Sequence, residues 1–298
     1  MKAAFINPYF ALVVGVITVS FSAILVKLTS APSGIIAFYR LLFTVLLLLP
    51  FFLIKHVHEM KLMIRKDFFL TMAAGIFLAF HFILWFESLN YTTVASSTVL
   101  VTLQPIFAFA GAFFFFKERF SVKVLISGAI AIIGSVIISW GDFRISGWAL
   151  FGDLLALIAC ALATSYLLVG QDVRKRISST TYTFIVYSFS TIVLFIYVIV
   201  AQQPLRGYPV SDWMYFILLA IFPTLLGHSL FNWAIKWLST TTISMAILLE
   251  PVGATILAYF LFGEKVIWTQ LLGGAVICYG LIMFLYEERK QYKKVEKR

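Results

Sequence analysis

The sequence predicts an all-α integral membrane protein in which ten transmembrane helices form two five-helix repeats of opposite orientation. Three observations predict it. Of 298 residues, 62% are hydrophobic and only 12% are charged, far from the balance of a soluble domain. Apolar runs of about 20 residues, the length a helix needs to cross hydrocarbon, recur along the whole chain. The two halves of the chain also match one another. The first two observations exclude a soluble enzyme, because no polar stretch of domain size remains.

The runs lie at 8–28, 32–54, 68–89, 94–116, 122–139, 148–169, 182–200, 213–235, 242–262 and 267–286. The connections are short, so consecutive spans are expected to be antiparallel neighbours. With the N-terminus inside, 18 of the 23 basic residues fall in inner segments, four fall in outer ones (Lys27, Arg144, Arg206, Lys265), and Arg40 lies within a span. Cytoplasmic segments carry an excess of Lys and Arg. The asymmetry predicts a multi-pass protein of the cell membrane with both termini cytoplasmic. The formal charge of +10 is then a topology signal, and the basic tail 287–298 is expected to lie on anionic lipid. Lipid, not nucleic acid, is the expected partner of these charges.

Span one closes on Lys27, and the following TSAPSG makes a poor cleavage site, so the span is expected to be kept rather than removed as a signal peptide. Span two holds Arg40 about eight residues below its outer end, within snorkelling reach, where a structural role is expected. On span three, His81, Trp85 and Ser88 share a face. A histidine can titrate near neutrality or donate to a carboxylate, and a tryptophan can stack on an aromatic or cationic solute. Glu87, near the outer end of that span, is a gate candidate. Span four carries Gln104 and Pro105. The proline removes a donor from the carbonyl of Val101 and offers a bending point. Glu118, just before span five, is expected to favour the start of that helix. Gly128 and Gly134 on span five are expected to permit close helix contact.

Span six carries Asp153, a second gate candidate, and Tyr166. Span seven supplies none of the candidates. On span eight, His228, Asn232 and Lys236 form a second polar stripe. Span nine carries Glu250 and Pro251, which frees the carbonyl of Ile247. Glu264 and the pair Gly274 and Gly280 on span ten repeat the roles of Glu118, Gly128 and Gly134. Cys160 and Cys278 lie in apolar runs and no His/Cys cluster has metal-ligand spacing, so no cofactor or metal is expected.

Sliding the chain by 146 residues lays 103–134 on 249–280 without a gap, with 11 of 32 positions identical. Pro105 meets Pro251, Glu118 meets Glu264, Gly128 meets Gly274 and Gly134 meets Gly280. The same register puts His228 opposite Phe82, one residue from His81. Because five spans is an odd number, the second copy enters the membrane inverted, the arrangement that alternating access exploits. The expected units are a first repeat at 1–147, a second at 148–286 and the tail.

The paired segments LQP…KERFSVKVLISG and LEP…GEKVIWTQLLGG, with HFILWFESLNYTTVASSTVLVTLQP at 81–105, resemble the drug/metabolite transporter superfamily, specifically its EamA-type ten-span members. The resemblance implies ten helices, a cavity between the halves, and export or exchange of small metabolites such as amino acids and their relatives.

Glu250 lies about eight residues into its span, roughly 12 Å deep at helical rise. A carboxylate is costly there and marks a functional site by default. Gln104 is its partner in the other repeat. The candidate substrate-binding residues are Glu250, Gln104, His81, Trp85, His228, Asn232 and Tyr166, with Glu250 and His81 as proton-coupling candidates and Pro105 and Pro251 as helix-bending residues. No GxxxxGK[ST] motif occurs, so ATP does not drive the protein directly. The expected function is a secondary transporter, by preference an exporter, whose partner is a small-molecule solute. A monomer suffices, since two repeats already form a pseudo-dimer. A facilitative channel or a non-transporting receptor is the alternative. An intramembrane enzyme is disfavoured, since neither metal spacing nor GxSxG occurs.

Overall fold

A computed structural model describes residues 6–138, 140, 147–263 and 265–296, and all regular structure among them is helical. The first repeat contributes α1 (Pro8–Leu28), α2 (Ser33–Lys55), α3 (Arg65–Ser88), α4 (Val94–Phe116) and α5 (Val122–Ile138). The second contributes α6 (Gly147–Val173), α7 (Ser179–Val200), α8 (Val210–Ala234), α9 (Thr240–Leu261) and α10 (Trp268–Lys290). Nine of these are long and apolar enough to cross a bilayer, and α5 is a shorter apolar helix of 17 residues. The last helix continues unbroken to Glu296, past the end at 286 that hydrophobicity suggests, because Glu, Lys and Gln are good helix formers once the span has nucleated them. A short helix, Val57–Leu62, sits between α2 and α3.

Large apolar side chains such as Phe51, Phe114, Phe115, Val200 and Ile282 are exposed around the body, the surface a lipid solvent requires. Between helices, lipid provides little hydrophobic drive, and close packing of small residues takes over. At the α5–α10 crossing, a Cβ on Gly134 would stand 2.7 Å from the backbone nitrogen of Ile277, and one on Gly280 would stand 2.7 Å from that of Ala131. Their expected role in close contact is met here. Gly274 does not share it: its Cβ would meet only Val252 at 3.5 Å, and the neighbouring Gly273 makes the close approach instead, 2.5 Å from the carbonyl of Gly134.

The packing is that of an inverted repeat. Helices α5 and α10 pair, as do α2 and α7, while α3 on α6 is mirrored by α8 on α1. We call the face where α1 begins and α10 ends the terminal face, and the other the distal face. Helices α4 and α9 run in opposite senses through the centre, and each is broken. Helix α4 divides into Val94–Thr102 and Gln104–Phe116, and α9 into Thr240–Ile247 and Glu250–Phe262. The half-helices cross-pair, Gln104–Phe116 with Thr240–Ile247 towards the terminal face and Glu250–Phe262 with Val94–Thr102 towards the distal face. Their local devices repeat as well. Thr93 Oγ1 caps α4 by accepting from the Ser96 amide at 3.1 Å, and Ser239 Oγ caps α9 by accepting from the Thr242 amide at 3.1 Å. Lys117 and Gly263, 146 positions apart, end the two helices at φ 56 and φ 66.

Candidate functional site

The two breaks place one polar side chain from each repeat at the centre. Gln104 and Glu250 are the first residues of their second half-helices, with Pro105 and Pro251 next, where the missing amide costs nothing because first-turn donors are unpaired anyway. The prolines therefore start new helices and do not merely bend old ones. Both side chains sit at the positive end of a helix dipole. Glu250 is 7% exposed and Gln104 6%.

Between them lies a cavity of about 20 Å³, room for a single water molecule. His81, Trp85, Gln104, His228 and Glu250 line it with Ser22, and apolar contact comes from Val19, Val101, Phe231 and Ile247. Helices α1, α3, α4, α8 and α9 thus converge on one point. The His81 and His228 rings stand 6.4 Å apart, and His81 stacks on Trp85 at 5.8 Å and 22°. His81 Nδ1 is 3.0 Å from the carbonyl of Ala159. That oxygen can only accept, so Nδ1 carries the proton and Nε2 is the atom left to exchange one. Trp85 Nε1 and Gln104 Oε1 are buried with no hydrogen-bond partner.

The other two expected binding residues do not line this cavity. Tyr166 stands behind His228, with ring centroids 6.5 Å apart, and its carbonyl accepts from the Tyr182 hydroxyl at 3.2 Å. Asn232 is fully buried, its Nδ2 3.4 Å from the Tyr187 hydroxyl. The backbone carbonyl of Asn232 accepts from Arg174 Nε at 2.8 Å. Together they form a polar layer between the cavity and the terminal face. Farther along the same stripes, Lys236 is exposed against Trp237, and Ser88 is spent on Ser97 Oγ at 2.6 Å.

Arg40, expected in a structural role within snorkelling reach of the outer end, ties its helix to two others. Its side chain does not snorkel; it is 0% exposed. Nε donates to Thr224 Oγ1 at 2.7 Å and Nη1 to Ser22 Oγ at 2.8 Å, while Cζ lies 4.2 Å from the Phe82 ring centroid. Glu250 is near enough to act on it electrostatically. Thr224 is presented by a π-helical stretch of α8, Ala220–His228, which contains Pro223. A proline inside a helix deletes an amide donor, and a wide turn absorbs the defect. Pro223 within an apolar span was the available signal, and no sequence pattern says which way such a turn aims its side chains.

A larger cavity of about 510 Å³ opens on the distal face between α1, α4, α5, α9 and α10. It descends past Lys27, Thr98 and Ala254 to Pro251, one residue from Glu250. Towards the terminal face the halves are tied. Arg176 makes a two-nitrogen contact with Asp67, at 2.7 Å from Nη2 and 2.8 Å from Nε, and a further bond to Asp172 at 2.7 Å. Glu59 accepts from the amide and hydroxyl of Ser178 and from Thr181 Oγ1. These bonds hold its carboxyl below the usual carboxylate range against an opposing and individually larger burial effect. Gln171 donates to Glu118 at 3.1 Å and accepts from the Thr240 amide at 2.6 Å. Burial pushes the Glu118 carboxyl up, and Glu118 serves this cross-tie instead of the start of α5. The equivalent Glu264 lies outside the described residues. Of the gate candidates, Asp153 accepts from Thr92 Oγ1 at 2.8 Å and Ser96 Oγ at 2.9 Å, tying α6 to the start of α4, while Glu87 is only part-buried.

No group of three His, Cys, Asp or Glu side chains among the described residues could hold a metal ion. What the geometry provides is a polar centre enclosed by two broken helices, with the larger distal cavity ending one residue from Glu250.

The comparisons agree with that architecture. The chain is 24% identical over 275 residues to an uncharacterized transporter of Archaeoglobus fulgidus, an alignment that covers 92% of this chain and 94% of the relative. It is 26% identical to the uncharacterized transporter YxxF of Bacillus subtilis, covering 86% and 82%, and 23% identical to YdfC of the same organism, covering 96% and 92%. A solved crystal structure superposes with a TM-score of 0.77 at 16% identity, over 95% of this chain and 98% of the other, which supports the fold alone. The sequence profile of the EamA-like transporter family matches twice, at residues 7–140 and 150–286. The names of the family and of these relatives indicate a transporter rather than an enzyme. With that profile present once in each five-helix repeat, this membrane transporter belongs to the EamA-like transporter family.

Proposed function

We propose that the protein is a secondary transporter of the cell membrane that exports small metabolites, amino acids or related amphipathic compounds, by alternating access through the cavity between its repeats. The observation that carries this reading is the convergence of Glu250 and Gln104, repeat equivalents on two broken helices, with His81, Trp85 and His228 around one central cavity. A site shared by both inverted halves is the place from which either face can be reached. At about 20 Å³ the cavity is too small for a metabolite, so a solute enters only when the halves part. The basic residues of the terminal-face segments favour placing that face, and both chain ends, in the cytoplasm. Glu250 and His81 are the proposed proton-coupling groups, and the lipid bilayer and a small solute are the proposed partners of a monomer.

The test is untargeted mass spectrometry of the medium from cells producing the wild type or equal amounts of Glu250→Gln. Metabolites enriched by the wild type alone support both export and the role of Glu250. Equal enrichment by both removes Glu250 from the mechanism and leaves export standing. Enrichment by neither removes the export reading.

A further inference from the structure

The cation at the centre of the fold has no carboxylate bonded to it. Among the described residues the ion pairs are His56 with Glu59 and Arg176 with Asp67 and Asp172, none of which involves Arg40. Two of its three nitrogens are spent on the neutral hydroxyls of Thr224 and Ser22, and the third, Nη2, is buried with no hydrogen-bond partner. A charge taken out of water and left without a bonded counter-charge is costly. Structural needs alone would be served as well by a neutral donor. A guanidinium with a free nitrogen is suited to a carboxylate, which it can hold through charge-assisted bonds.

Three further observations point the same way. Ser22, which takes Nη1, lines the central cavity, so the guanidinium stands directly behind the cavity wall. Trp85 Nε1, a donor, and Gln104 Oε1, an acceptor, are also buried there without partners. Along the distal cavity, the charged groups among the described lining residues are Lys27 and Lys265, both cationic. Such a lining raises the local concentration of anions.

We propose that the transported solute carries a carboxylate, that this group binds Arg40 at Nη2, and that Arg40 is the residue that determines specificity. In the solute-free protein Glu250 is the carboxyl that acts on Arg40 through space, without a bond to it. The solute carboxylate takes over that role in direct contact, and the apolar remainder of the solute lies against Val101, Phe231 and Ile247. This assignment rests on the transporter reading and names the chemical class that the transporter accepts.

The test uses the purified full-length protein in detergent and matched sets of probes on one skeleton: phenylacetate, phenylacetamide and phenethylamine, and isovalerate, isovaleramide and isoamylamine. Melting temperature is followed against probe concentration. The carboxylates should raise it and the amides and amines should not. Arg40→Gln should abolish the shift, and Arg40→Lys should retain a weaker one. Glu250→Gln, which removes the neighbouring carboxyl and leaves Arg40 intact, should keep the carboxylate shift. That outcome does not depend on the Arg40 variants folding. Stabilisation by the amines with loss in Glu250→Gln, carboxylate binding that is undiminished in Arg40→Gln, or no shift with any carboxylate overturns the proposal. If the mass-spectrometric comparison then shows export of a neutral or cationic metabolite, the transporter reading survives the loss of this one. If nothing is exported either, both fall.

Discussion

The terminal and distal faces are built from equivalent elements and closed by different chemistry. Arg176 and Ser30 are 146 positions apart and follow α6 and α1, which are repeat partners. Each reaches an aspartate in the first turn of the helix packed beside it. On the terminal face the pair is Arg176 with Asp67, bidentate and joined by Asp172. On the distal face it is Ser30 with Asp212, through a hydroxyl at 2.8 Å and an amide at 3.1 Å. The inverted repeat therefore supplies the same latch twice, and the residue chosen sets its strength. Two fixed charges in a fork geometry hold better than one charge with neutral donors. The cavity of about 510 Å³ lies on the side of the weaker latch. Duplication yields two conformations of similar build, and small local differences decide which one is populated.

Substitutions test the two latches, in a background with Cys160 and Cys278 replaced. The largest effect is expected from Asp67→Asn, which leaves Arg176 with Asp172 alone. Labelling of a cysteine at Ile247 by an impermeant maleimide from the terminal face should rise by roughly tenfold, about the worth of one charge-assisted contact. An unchanged rate would mean that the ion pair does not hold the face shut. Next is Ser30→Arg, which gives the distal face the terminal latch. Labelling of a cysteine at Ala254 from the distal side should then fall by a few fold, on the order of 1 kcal/mol of bias; a rate that rises would show that the residue cannot reach Asp212.

A smaller effect is expected from Glu59. Its folded-state pKa lies below the unfolded value, so its contribution is present above the ordinary carboxylate range and is lost only as pH falls through the lowered pKa. Terminal-face labelling should thus stay flat from neutrality through mildly acidic pH and rise below it, and Glu59→Gln should erase that acid rise. The least effect on the ratio of the two faces is expected from Gly134→Val, because α5 and α10 are repeat partners and pack on each other. The new side chain meets the backbone of Ile277 and should cost about 1–3 kcal/mol of stability, seen as a lower melting temperature. A change in the labelling ratio would show that this crossing takes sides.

Much of the site was legible because it rests on features local to the chain. The depth of Glu250 follows from counting residues along a span, and its equivalence to Gln104 follows from the gapless match. His81 and Trp85 followed from helical spacing. Arg40 was not legible, since the groups that bury it, Ser22 and Thr224, lie 18 and 184 positions away. Asn232 and Tyr166 share a helix face or a repeat with cavity residues and still stand behind it, because the layer in front is set by how α6, α7 and α8 pack together.

Ten spans in two inverted repeats, each with a polar residue before a proline at its centre, can be read along the chain. Those properties depend on hydrophobicity, spacing and self-similarity, each a property of one segment or of two aligned ones. That α4 and α9 break at those residues, that a guanidinium without a bonded carboxylate stands behind the cavity, and that the terminal latch is the ion pair emerge in the folded molecule. In lipid the apolar faces that meet protein and those that meet hydrocarbon look alike along a chain. Which polar groups share the interior is therefore settled by helix packing, where the burial of each one depends on partners that other helices bring.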